Sequence, residues 1–138
     1  MSPRSARDRA LELAGQLAGI GPVEVGRFFG GAGLRCEGVQ FGFVMQGILY
    51  LRVDDDTRPA FEALNGRAFA YGGRSGTVTV ASYYGVPEEI ADDPEELVRW
   101  AERAHGVARA ARRSVRGRKL NAMGDGGGGS GARRIARG

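Results

Sequence analysis

The sequence predicts an α+β domain, a two-layer arrangement with an antiparallel sheet of about five strands in the order α-β-β-β-α-β-β-α. Three observations carry this. Apolar residues recur at helical spacing near the start, they alternate with a period of two between 39 and 53, and Asp93-Pro94-Glu95-Glu96 reads as the start of a long helix.

The first helix is expected over about 5–18, where Ala10, Leu13, Ala14 and Leu17 make one apolar face and Gly19, Gly21 and Pro22 stop it. It is too short to persist alone, so that face belongs against a sheet. A short first strand follows at Leu34 to Glu37. In the next, Val39, Phe41, Phe43 and Met45 alternate with Gln40, Gly42 and Val44, and the alternation resumes from Ile48 to Val53 after a tight turn at Gln46-Gly47. Asp54, Asp55, Asp56 and Thr57 supply caps for a helix over 57–64, which Asn65-Gly66 ends. Ala68 to Tyr71 and Thr77 to Ser82 are the last two strands, joined through the glycine-rich hairpin 72–76.

Asp93 then stands at an N-cap, Pro94 at the first helical position and two glutamates in the first turn. Leu97, Trp100, Ala101, Ala104, Ala108, Ala111 and Val115 form the inward stripe of that helix, with arginines in its last turns. From Gly117 glycine is so dense that ordering the chain costs more entropy than burial returns, so the domain is expected at 1–116 and a flexible tail at 117–138.

A length of 138 residues with 42% hydrophobic and 26% charged residues gives one soluble domain and excludes two large ones. Residues 1–100 carry ten arginines against fourteen carboxylates, whereas 101–138 carry ten basic residues against Glu102 and Asp125. The net +4 therefore divides into an acidic body and a basic end. Cys36, the single cysteine, excludes an intramolecular disulfide and a cysteine-rich metal site. With no signal-like N-terminus and no apolar run near the about eighteen residues a membrane helix requires, the expected place is the cytoplasm, without a membrane partner.

Several segments together resemble one family. Arg27-Phe28-Phe29-Gly30-Gly31-Ala32-Gly33-Leu34, Gly47 to Asp54, Arg58-Pro59-Ala60-Phe61, Ser82 to Glu89 and Asp92 to Leu97 are similar, in this order, to segments of the N-terminal domain of the TfoX/Sxy competence regulators. Phe28 stands where methionine is usual and Arg52 where lysine is. The resemblance spans about 8–113. It implies a secretion-chaperone-like fold, often a dimer, and no catalytic residues. Full-length regulators of the family act on competence genes with a cyclic-AMP-dependent activator and carry a second helical domain; residues 117–138 are too few for it, so a stand-alone N-terminal domain is expected.

Candidate sites divide accordingly. Gly30-Gly31-Ala32-Gly33 lacks the Lys-Ser/Thr and following helix of a phosphate loop and reads as a turn or close packing. Asp54, Asp55 and Asp56 lack an EF-hand spacing and read as caps. His105 and Cys36 have no orienting partner in sequence and read as packing, and Gly73-Arg74-Ser75-Gly76 is a turn. No catalytic, cofactor or metal residue is assigned. The interface candidates are Arg27, Phe29, Tyr83 and Tyr84, with alternation directing one tyrosine inward. Arg109, Arg112, Arg113, Arg116, Arg118, Lys119, Arg133, Arg134 and Arg137 are candidates for weak, sequence-blind contact with DNA or RNA phosphates. The expectation is a non-enzymatic regulatory or interaction module with a protein partner or a second copy. The alternatives are a small enzyme with a pocket near Arg27, Tyr83, Tyr84 and Asp54, and a purely structural homodimer.

Overall fold

The computed structural model describes residues 5–125, with side chains through 114. It divides into two units, one through Ala108 and one from Arg109. The first holds α1 (Ala6–Gln16), β1 (Val23–Phe28), β2 (Gly31–Cys36), β3 (Val39–Met45), β4 (Ile48–Arg52), α2 (Arg58–Ala63), β5 (Ala68–Gly73), β6 (Gly76–Gly85), α3 (Glu88–Ala91) and the first turns of α4 (Pro94–Asp125). The sheet has six antiparallel strands ordered β1-β2-β3-β4-β6-β5. The two-layer α+β class stands, with one strand more than the five expected.

The added strand is β1. Val23 and Val25 alternate with Glu24 and Gly26, but the glycines that follow make the region read as a loop. Tertiary packing overrides that propensity: a Cβ on Gly31 would lie 2.3 Å from the Val44 carbonyl oxygen, and one on Gly33 would lie 2.7 Å from Gln40 Oε1. Bare backbone is what lets β2 fit against β3. The glycine segment is thus a turn followed by a closely packed strand.

Three hairpins share one device. Phe29-Gly30, Glu37-Gly38 and Gln46-Gly47 are two-residue loops in which both residues have positive φ, from 43° to 84°. This is the type I′ turn, whose twist matches that of paired strands. Successive hairpins of this kind fold β1 to β4 into a meander, and α2 then carries the chain over to β5 so that β6 inserts beside β4.

The helix boundaries follow their caps. Ser5 Oγ accepts from Asp8 N at 3.0 Å, and Asp93 Oδ1 accepts from Glu95 N and Glu96 N at 3.1 and 3.2 Å. Asp54 Oδ1 accepts from the backbone of Asp56 and Thr57, so the aspartate run serves the α2 turn. Asn65, at φ 65°, ends α2. The short α3 was not expected from the sequence.

The last helix runs past the end expected at 116. Helical backbone continues through Gly117 to Asp125, so the arginines at 109–116 lie within the helix and not in its last turn. A single glycine costs only about 1 kcal/mol in a helix, and Arg118, Lys119, Leu120, Ala122 and Met123 are residue types that favour helix. Residues 126–138, including Arg133, Arg134 and Arg137, lie outside the described residues.

The core lies between one face of the sheet and the helices. Ala10, Leu13 and Leu17 meet Leu34, Phe41, Val44, Leu51 and Phe61, joined by Leu97, Trp100, Ala101, Ala104 and Ala108 from the predicted stripe. Phe61 and Trp100 pack edge to face at 4.7 Å.

Candidate functional site

Phe41 and Phe43 alternate in phase, which predicts that both point to the same side. The structure separates them. Leu34 pairs with Gly42 but Arg35 pairs with Gln40, leaving Phe41 as the extra residue of a β-bulge. Phe41 turns to the helical side, 5.9 Å from the His105 ring, while Phe43 turns to the opposite face.

There Phe43 is the hub of a ring cluster. Its centroid lies 4.4 Å from Phe28, 5.1 Å from Tyr50, 4.9 Å from Phe69 and 5.0 Å from Tyr83. Phe69 continues the cluster to Tyr71, and Phe28 continues it to Phe29 at the β1–β2 turn. Phe43 is fully buried by these neighbours although no helix residue among the described residues enters the cluster. The outer members stay open: Phe29 is 88% exposed and Tyr71 49%, and Ile48 and Val78 are exposed beside them. Among the described residues no helix covers this aromatic face, whose rings come from five strands, and exposed apolar surfaces of this kind mark binding.

One cation sits in it. Arg52 pairs with Tyr83 across β4 and β6, and its guanidinium carbon lies 5.6 Å from the Tyr83 ring centre. Its Nε is buried without a hydrogen-bond partner. Burial also pushes the Tyr50 hydroxyl above its ordinary pKa.

The sequence candidates now have places. Tyr83 faces the ring surface and Tyr84 the core, as alternation requires of one of the pair. Tyr84 is buried, donates to Glu62 Oε2 at 2.9 Å, and is not available as a surface contact. Phe29 and Tyr83 belong to one cluster through Phe28 and Phe43. Arg27 is exposed near the end of β1, paired with Ala32 and so on the other side of the sheet from Phe28. A single pocket of Arg27, Tyr83, Tyr84 and Asp54 does not form: the two tyrosines point to opposite faces, and β1 and β6 are separated by about 19 Å of intervening strands.

Sequence reasoning missed that Phe43, Tyr50, Phe69 and Arg52 join Phe28 and Tyr83 in one constellation. The alternation around Tyr50 was a usable signal; the bulge and the placement of β6 beside β4 were not visible.

His105 is buried, with Nε2 3.0 Å from the Cys36 carbonyl and 3.6 Å from Glu37 Oε1. A His105 ring nitrogen, the Cys36 thiol and a Glu37 carboxylate oxygen all lie within 4.8 Å of one another. Three groups are one short of a closed tetrahedral site, and Nε2 is already engaged with a carbonyl. Packing accounts for this trio.

In the second unit, Arg109, Arg112 and Arg113 are exposed. The side chains of Arg116, Arg118 and Lys119 lie outside the described residues. No helix among the described residues is long and apolar enough to cross a membrane.

A six-stranded antiparallel sheet with helices on one face and rings on the other defines a two-layer α+β domain. The profile of the TfoX N-terminal domain family matches residues 15–108, within the span on which the resemblance rested, and the chain belongs to that family. A search of curated proteins found no match.

Proposed function

We propose that this chain is a non-enzymatic, transcription-related regulatory module that works in the cytoplasm by binding a partner through the ring-bearing sheet face. The observation that carries this reading is the cluster centred on Phe43, assembled from five strands and left open at Phe29. Family membership supports a regulatory, competence-related accessory role. The one-sided helical cover supports the finer reading of a secretion-chaperone-like arrangement. Arg109, Arg112 and Arg113, with the rest of the basic end, add weak phosphate contact that depends on salt and not on sequence.

The test is genetic. Deletion is expected to alter a defined set of transcripts, which the wild-type chain restores and Phe29→Asn at equal abundance does not. An unchanged transcript profile on deletion would rule the regulatory reading out.

A further inference from the structure

The strands divide the charge of the folded unit unevenly. Strands β2 to β6 contain no aspartate or glutamate, and their charged residues are Arg35 and Arg52. Glu24 in β1 is the one carboxylate in the sheet, paired with Arg35. The remaining carboxylates of residues 1–100 stand on helices, turns and the loops that cap them. The ring face therefore carries Arg52 among its rings and the cross-strand pair Glu24 and Arg35 at its β1–β2 side, while the helices and connecting loops hold the other carboxylates.

Resting on the reading that this face is the contact surface, we infer that its occupant is single-stranded nucleic acid. Rings from Phe28, Tyr50, Phe69 and Tyr83, together with exposed Phe29 and Tyr71, offer a platform on which unpaired bases can stack, a contact every base can make. Arg52 stands among them with a buried Nε–H that lacks an acceptor, and a phosphate oxygen or base carbonyl would supply one. A second copy fits this surface less well. An isologous contact sets a face against itself, and the one carboxylate on this face, Glu24, stands on edge strand β1 opposite Arg35, three strands away from Arg52. An extended peptide is also a poorer match, since strand addition would take place at the edge strands β1 or β5 and would leave the rings of the central strands unused.

The experiment is fluorescence anisotropy on the full chain with labelled oligothymidylate of about 12 nucleotides, a length within the usual footprint of such platforms, and a duplex of equal length. Three variants are compared. Phe29→Asn removes the most exposed ring and places Asn-Gly in a type I′ turn, where that pair is favoured. Arg52→Met removes the unpartnered Nε while keeping an unbranched stem. Arg109→Glu/Arg112→Glu/Arg113→Glu inverts three exposed positive charges of α4. All are checked by circular dichroism and thermal melting.

The expected result is single-strand binding about ten-fold tighter than duplex binding, with Phe29→Asn and Arg52→Met each weakening the single strand by about five-fold or more and leaving duplex binding unchanged. The triple variant is expected to weaken both ligands and flatten the salt dependence. Equal affinity for the two ligands, lost together in the triple variant alone, would overturn the inference while leaving the accessory phosphate contact intact. Absence of nucleic-acid binding together with a sedimenting dimer that Phe29→Asn dissociates would overturn it in favour of a second copy, and the face would still be the contact surface. Absence of both would remove the surface reading along with the inference.

Discussion

His105 Nε2 lies 3.0 Å from the carbonyl oxygen of Cys36, a residue 69 positions earlier, and so ties α4 to the end of β2. A carbonyl only accepts, so Nε2 carries the hydrogen and donates it. The Phe41 ring meets the same imidazole edge to face, placing the bulged residue and the helix in one packing unit.

Replacing His105 by leucine fills the volume but leaves the Cys36 carbonyl without this donor in a buried place. The expected loss is about 1–3 kcal/mol, read from urea denaturation. His105→Gln, which can again donate to that carbonyl, is expected to recover part of it. Equal stability of the leucine variant and wild type would show that the contact does not hold the helix.

Tyr84 and Glu62 make the fold sensitive to alkali. Burial first, and then the hydrogen bond to Glu62, raise the Tyr84 hydroxyl above its ordinary value of 10.0. A raised folded-state pKa means the contribution is complete below the unfolded value and disappears as pH climbs through the folded one. Between about pH 8 and pH 11 wild type is therefore expected to lose more stability than Tyr84→Phe. Parallel pH profiles for the two chains would contradict this.

The two adjacent glycines of the motif do different jobs. Gly31→Ala drives a Cβ to within 2.3 Å of the Val44 carbonyl oxygen, and is expected to cost about 3 kcal/mol or prevent folding. Gly30→Ala meets nothing within 4 Å but must hold φ at 84°, a cost of about 1 kcal/mol. Thermal melting of the pair should rank them in that order; the reverse order would mean that turn strain outweighs strand packing.

Gln46 holds φ at 52° ahead of Gly47, a conformation that asparagine adopts more readily. Gln46→Asn is expected to stabilise the β3–β4 hairpin by about 0.5 kcal/mol, seen as a raised melting temperature. A lowered one would show that the Gln46 side chain contributes more than its backbone costs.

The α+β class, the Asp93-capped start of α4, the Gln46-Gly47 turn and the inward stripe of α4 were legible from residues alone, because each rests on contacts a few positions apart. The direction of Tyr84 was legible only as a choice between neighbours. Strand β1 and the glycine-rich first half of β2 were hidden, since the benefit of bare backbone there appears only when Val44 and Gln40 arrive from the next strand.

What the sequence by itself determined is local: caps, turn residues, alternation and the segregation of acidic body from basic end, all fixed by covalent neighbours and their propensities. Tertiary structure alone decided the surface on which function is proposed. One extra residue at Phe41 reverses the phase of β3, sending Phe43 away from the helices, and the insertion of β6 beside β4 brings Tyr83 to it and sets that ring against Arg52. Neither event leaves a local trace, because a bulge and a strand order are settled by pairing between segments far apart in the chain.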